Sequence, residues 1–148
     1  MCTDTIKARL TLRGGNIMSI INVDEGRYEI RVKTMKQHED EVSAMADYLA
    51  GAAVVNNQEG NLTITLVILD DKTVTGFQIL NEAGEEQHAL DKQSNKETNR
   101  RAELFQLDQL TNPLVARVQY EAEFEGRVFK GDEKLRLVFK EDTLAKID

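Results

Sequence analysis

Ser43, Met45 and Tyr48 stand close together in the stretch DEVSAMADYLAG, residues 40–51. A hydroxyl, a thioether and a phenol at helical spacing offer a hydrogen-bond donor, a soft metal ligand and a hard one. By composition alone Met45 reads as core filler, and Ser43 and Tyr48 as the polar edges of a buried helix face. Other sources of chemistry are sparse. The two histidines, His38 and His88, lie fifty residues apart, and Cys2 is the single cysteine. No HExxH, GxSxG, P-loop or GxGxxG is present, so classical zinc, triad and phosphate-cradle chemistry has no support. The many carboxylates read as solvated faces, with no pair set apart as acid and base. The chain is expected to bind rather than catalyse.

The composition narrows the partners. The chain has 148 residues, enough for one domain with a real core, and 30% of them are charged, for a net charge of −7. An acidic surface disfavours nucleic acid and anionic membrane surfaces. No apolar run approaches the roughly 20 residues of a membrane span, and MCTDTIKARLTLRGG lacks the apolar core of a signal peptide. As written the chain reads as cytosolic, or as a fragment cut from a longer secreted protein. Arg13-Gly14-Gly15, two residues before Met18, has the look of a translated ribosome-binding site, which makes Met18 an alternative start. Against that, Ile6, Ala8, Leu10 and Leu12 alternate with polar neighbours as a strand does. Both starts stay open.

The elements that must position the central patch are strands. Tyr28, Ile30 and Val32 alternate with charged residues. Val42, Met45, Ala46 and Leu49 then fall on one helical face, with Gly51 placed as a stop. Strands follow at Ala52–Val55, at NLTITLVILD and around Val74, Phe77 and Ile79, with a bulge at Gly76. Residues 91–99 (DKQSNKETN) read as a loop. AELFQL, VARVQYEAEF and VFKGDEKLRLVF complete the set, with DQLTNP and EGR as turns. Seven to nine short strands with one short helix predict an all-β, immunoglobulin-like antiparallel sandwich. The expected organisation is an extension over 1–23, a domain over 24–140 and a polar tail over 141–148.

The order of these elements resembles the NEAT (near-iron-transporter) domain, a haem-binding module of Gram-positive surface proteins and secreted haemophores. GRYEIRVKTMK is similar to the family's opening strand. DEVSAMADYL is similar to its short helix, with Ser43 and Tyr48 at the expected five-residue separation, and LRLVF to its closing strand. The resemblance covers roughly Asp24 to Lys140. It implies an immunoglobulin-like fold, a role in bacterial iron acquisition, a place at the cell surface or in secretion, and haem held between the helix and the C-terminal hairpin.

The resemblance also assigns roles. Ser43 is expected on a propionate, with Met45 and Tyr48 packed over the ring and Val118, Tyr120, Phe129 and Leu135 lining the hairpin side. In the family the iron ligand is the first tyrosine of a Y-x-x-x-Y in the last strand. Aligned on RLVF, that position is Phe129 and the second tyrosine's is Glu133. Three residues offer replacements: the Tyr120 phenolate, the Met45 thioether and the Glu133 carboxylate. Each has a plain alternative, as a strand aromatic, a core residue and a solvated hairpin residue. The expected cofactor is haem, and the expected partners are haem or a host or bacterial haem-carrying protein. The alternatives are a NEAT-like protein-interaction module without haem, or a plain structural domain of a larger surface protein.

Overall fold

The computed structural model describes the backbone of residues 7–13 and 16–147 and the side chains from Ser19 onward; Cys2, Ile6 and Gly14-Gly15 fall outside the described residues. Twelve strands follow in order: β1 (Lys7–Arg13), β2 (Asn16–Asn22), β3 (Gly26–Lys36), β4 (Ala52–Gln58), β5 (Asn61–Ile68), β6 (Val74–Leu80), β7 (Glu86–Gln87), β8 (Asp91–Asn95), β9 (Arg100–Leu107), β10 (Leu110–Asn112), β11 (Leu114–Phe124) and β12 (Arg127–Lys146). A 3-10 helix, Ala44–Tyr48, lies between β3 and β4. β12 runs past Lys140 and pairs again with β3 at Ala145 and Lys146.

Nine strands form one sheet in the order β7-β6-β11-β12-β3-β4-β5-β9-β8, and β1, β2 and β10 form a second. Every pairing is antiparallel. The large sheet curls until its halves face each other, and Phe77 of β6 meets Phe105 of β9 edge to face, with centroids 5.8 Å apart. The result is the expected all-β sandwich. Alternation explains which face is inside. Tyr28, Ile30, Val32 and Thr34 are buried on β3, and Leu135, Leu137 and Phe139 on β12. Each of the aliphatic side chains and Phe139 contributes about 1.5–3 kcal/mol on burial.

The structure differs from the sequence reading in several places: Leu110–Asn112 of the DQLTNP turn form β10, and the polar tail continues β12 as far as Lys146. The stretch 91–99 contains β8, an edge strand paired with β9 from Asp91 to Asn95. All five of its residues are exposed, so no apolar alternation marks it, and a polar edge resists pairing with other chains. The helical patch is shorter than its pattern. Met45 and Leu49 are buried, but Val42 is 52% exposed and bridges to Met35, while Leu49 is already extended and bridged to Ile68. Strand ladders hold both ends, which leaves room for a tight turn and not for an α-helix. Gly51 is not the stop: the helix ends at Leu49, whose amide donates to the Ala46 carbonyl, and the Gly51 carbonyl accepts from Val32 at 3.0 Å.

Candidate functional site between the short helix and the closing hairpin

The C-terminal end of β3 brings the helix and the hairpin together. On one edge Lys36 and Thr34 pair with Leu135 and Leu137 of β12. On the other, the Thr34 carbonyl accepts from the Ser43 amide at 3.0 Å, and the Lys36 amide donates to the Glu41 carbonyl at 2.9 Å. Arg136 straps the junction, donating from Nε to the Lys36 carbonyl at 2.8 Å and from Nη2 to the Glu39 carbonyl at 2.9 Å. The helix is fixed at its start because the Ser43 side chain accepts from the Met45 amide at 3.0 Å, an N-cap that satisfies an otherwise orphaned donor.

The hairpin projects from this junction. β3 contributes no partner beyond Leu135, and the β6 ladder stops at Val74 opposite Tyr120, so the outer part of β11 and β12 forms a two-stranded ribbon. Glu125 and Gly126 turn it with φ of 52° and 76°, the two left-handed residues of a tight hairpin. Opposed residues of a ladder share a face. Along the inner face the pairs are Ala116–Leu135, Val118–Glu133, Tyr120–Gly131 and Ala122–Phe129. Ala116, Leu135 and Val118 are buried, Tyr120 is partly buried, and Phe129 is 50% exposed. The face thus climbs from a buried floor to an open apolar rim.

Tyr120 sits at the centre of this gradient. A β-carbon built on Gly131 would collide with Cε1, Cζ and Oη of Tyr120, so the ring lies across the glycine. The exposed Glu133 carboxylate and Tyr48 of the helix are both close enough to act on the Tyr120 hydroxyl electrostatically. Burial first, then Glu133 and to a lesser degree Tyr48, push the Tyr120 phenol above the usual tyrosine range. A bulge behind it sets the strand's phase. Gln119 pairs with Gly76 but Tyr120 with Val74, so Val74 and Phe77, three residues apart, are both buried. A β-carbon at Gly76 would collide with the Gln119 side chain, which explains the glycine.

A buried charge cluster underpins the loop that leads to Val74. Arg101 donates from Nε to Glu103 at 2.7 Å and from Nη2 to the Val74 carbonyl at 3.0 Å, and it is ion-paired with Asp71. Glu103 is fully buried, and its second oxygen has no partner among the described residues.

Tyr48, Tyr120 and Glu133 therefore converge, with Val118 and Leu135 beneath them. Met45 is 3% exposed and belongs to the core, and Phe129 lies one inner-face step beyond Gly131 toward the rim. Tyr28 sits six residues down β3 from Thr34, about 20 Å away, and takes no part. His38 and His88 are both exposed, and among the described residues no group of three or more His, Cys, Asp or Glu is placed for a metal ion. Gly131, Arg136 and the Arg101–Glu103 pair escaped the sequence reading. Gly131 had a signal: a glycine inside a strand costs about 0.5–1 kcal/mol and needs a reason. A separate cleft of about 190 Å³, lined by Leu80, Asn81, Asp108 and Leu114 among others, opens at the far end of β11.

Comparisons with known proteins place the fold in a family. The profile of the family described as NEAT, Iron Transport-associated domain, matches residues 22–143. Hemin/hemoglobin-binding protein 2 of Listeria monocytogenes is 32% identical over 119 residues, 80% of this chain and 21% of that protein. The chain thus spans about a fifth of that curated relative. The NEAT5 domain of IsdX2, a B. anthracis hemophore solved in complex with heme, superposes with a TM-score of 0.67 at 21% identity, covering 79% of this chain and 97% of that one. A point mutant of the same domain, also with heme, gives the same TM-score and covers 80% of this chain. At that identity the likeness establishes a shared fold.

Proposed function

This chain belongs to the NEAT family of iron-transport-associated domains, and from that membership we propose that it binds haem, and transfers it, in bacterial iron acquisition, with iron ligation that departs from the family's tyrosine pair. The role is binding rather than catalysis. The observation that carries the reading is the meeting of Tyr48, Tyr120 and Glu133 between the helix and the hairpin, over the apolar floor of Val118 and Leu135. A haem-binding relative and two haem-bound structural neighbours support it.

The residues present fit the group. Its faces are apolar and its ferric ion prefers hard oxygen donors, and the site offers a phenol and a carboxylate above aliphatic side chains. Ser43 is proposed to hold a propionate through its hydroxyl proton, which the cap leaves free because the oxygen accepts from Met45. Tyr48 packs over the ring with Met45 beneath it, and Phe129 covers the outer edge. When bound, haem would supply a ferric centre that takes a hard oxygen donor. The chain's part is to present an oxygen donor, exclude water on the apolar side and grip the propionate. Its supplier or acceptor is proposed to be a haem-carrying protein of host or bacterium.

A second reading, a protein-interaction module without haem, draws on Phe124, Val128 and Phe129, each at least half exposed on the projecting ribbon. Titration with ferric haem, followed in the Soret region, separates the two. A saturable one-to-one band supports haem binding. A spectrum no different from free haem overturns it and leaves the ribbon as a docking surface.

A further inference from the structure

We propose that the axial ligand is presented by β11 and not by the closing strand: the phenol oxygen of Tyr120 ligates the iron, Gly131 clears its path, and Glu133 holds the oxygen in place. The proposal rests on the haem-binding reading and deepens it.

Phe129, at the position where the family pattern places a ligand, carries no donor atom. The remaining donors at the site differ in what surrounds them. Met45 is 3% exposed and packed in the core, so turning its sulfur outward would leave a cavity behind it. A carboxylate alone is a costly group against an apolar face. Glu133, however, is not alone, because it stands two residues from Gly131 on the face that Tyr120 crosses, beside the phenol.

Gly131 decides the matter. Its φ is not in the left-handed region, so the backbone gives no reason for a glycine there. What it does is admit the Tyr120 ring, whose Cζ and Oη occupy the space that a β-carbon would fill. Gly131 lies between Phe129 and Glu133 on the same face of β12, two residues from each. The Tyr120 oxygen, reaching over from β11, thus arrives midway between the two positions that the family fills with tyrosines. On ligation the phenol O–H bond is replaced by a bond to iron, and the proton goes to the neighbouring Glu133 carboxylate. Gly131 and Glu133 are positioning residues, acting through Tyr120.

The test uses the full chain, ferric haem and one fixed pH, and reads both affinity and the resonance Raman bands of an iron-bound phenolate. Wild type should bind one haem and show those bands. Tyr120→Phe, which keeps the ring and its packing, should lose the bands altogether. Glu133→Gln should keep them at shifted frequency and weaken binding about 10–100-fold, as loss of a ligand's hydrogen-bond partner does. Gly131→Ala, which keeps the phenol but displaces it, should reduce the bands while the melting transition stays cooperative. Haem binding with phenolate bands that survive Tyr120→Phe would overturn the ligand assignment and leave the haem reading standing. A wild type with a Soret band but no phenolate bands would do the same. No saturable binding by the wild type would overturn both.

Discussion

The Tyr120 ring lies across Gly131, its direct partner in the hairpin ladder, in the space a β-carbon would take. A side chain and a missing side chain on neighbouring strands thus form one unit, and their energies should not add. Gly131→Ala forces the ring off β12 and should cost about 1–3 kcal/mol, the usual range for overpacking. In a Tyr120→Ala background the same change should cost nothing, or gain up to about 1 kcal/mol, because alanine suits a strand better than glycine. A double-mutant cycle by urea denaturation checks this. Equal costs in both backgrounds would mean the glycine serves something other than the ring.

Ser43 has two duties that substitutions can separate. Its oxygen caps the short helix through the Met45 amide, and Ser43→Ala should cost about 1 kcal/mol. For a chain of this length that lowers the melting temperature by about 2–4 °C. Ser43→Asp keeps a cap acceptor and should hold the melting temperature near wild type. It also sets a carboxylate where a propionate is proposed to sit, so ferric haem should bind more weakly. Thermal melts and haem titrations on the same two variants check both halves, and unchanged haem affinity in Ser43→Asp would remove the propionate from this residue.

Much of this site was legible in the sequence, and the residues show why the rest was not. The strands carrying Ile30, Ile64 and Leu137 announce themselves, because one face of each is buried and alternation follows. The bulge at Gly76 was visible for a related reason: Val74 and Phe77 are one residue out of phase. β8 was invisible because neither of its faces is buried, so its five residues carry no pattern. The helix was overextended because Val42 and Leu49 match a helical period, while ladders that only the fold supplies pull both into extended pairing. The Tyr120–Gly131 relation was written in the register. A two-residue turn at Glu125-Gly126 pairs Phe124 with Arg127, and counting back four residues reaches Gly131 opposite Tyr120. Reading the turn as EGR, with its ends unplaced, concealed it.

Arg101 and Glu103 should behave as a pair. Glu103 is fully buried with one oxygen unpartnered, and Arg101 spans it, Asp71 and the Val74 carbonyl. Glu103→Ala strands a buried guanidinium and should destabilise the chain toward the lower end of about 3–5 kcal/mol, since Asp71 remains as a partner. Replacing both, Arg101→Met with Glu103→Leu, removes the desolvation cost along with the attraction and should fall much closer to wild type. Denaturant melts of the three variants check the order. A double variant less stable than Glu103→Ala would show that the pair contributes more than its own desolvation cost.

Asp70 makes acid stability measurable in the loop that leads to Val74, the ladder partner of Tyr120. Burial alone would raise its pKa. The donors around it, from the side chains of Thr73 and Asn99 and the amides of Thr73 and Lys72, outweigh burial and hold the carboxyl below its usual 3.8. The Asn99 side chain at 2.8 Å and the Thr73 amide at 3.2 Å donate directly to Asp70 Oδ1, and the Lys72 amide donates to Asn99 Oδ1 at 3.0 Å. A carboxyl whose folded pKa is lowered stabilises the fold fully above its unfolded value, and it loses that contribution as the pH falls through the folded one. Asp70→Asn should therefore be less stable than wild type near neutrality. The gap should narrow once the pH drops below about 4, where the carboxyl of the unfolded wild-type chain begins to take up its proton, and close as the pH falls through the lower folded value. Unfolding free energies at several pH values between about 7 and 2.5 check this. A gap that stays constant over that range would mean that the Asp70 charge contributes nothing to holding the loop.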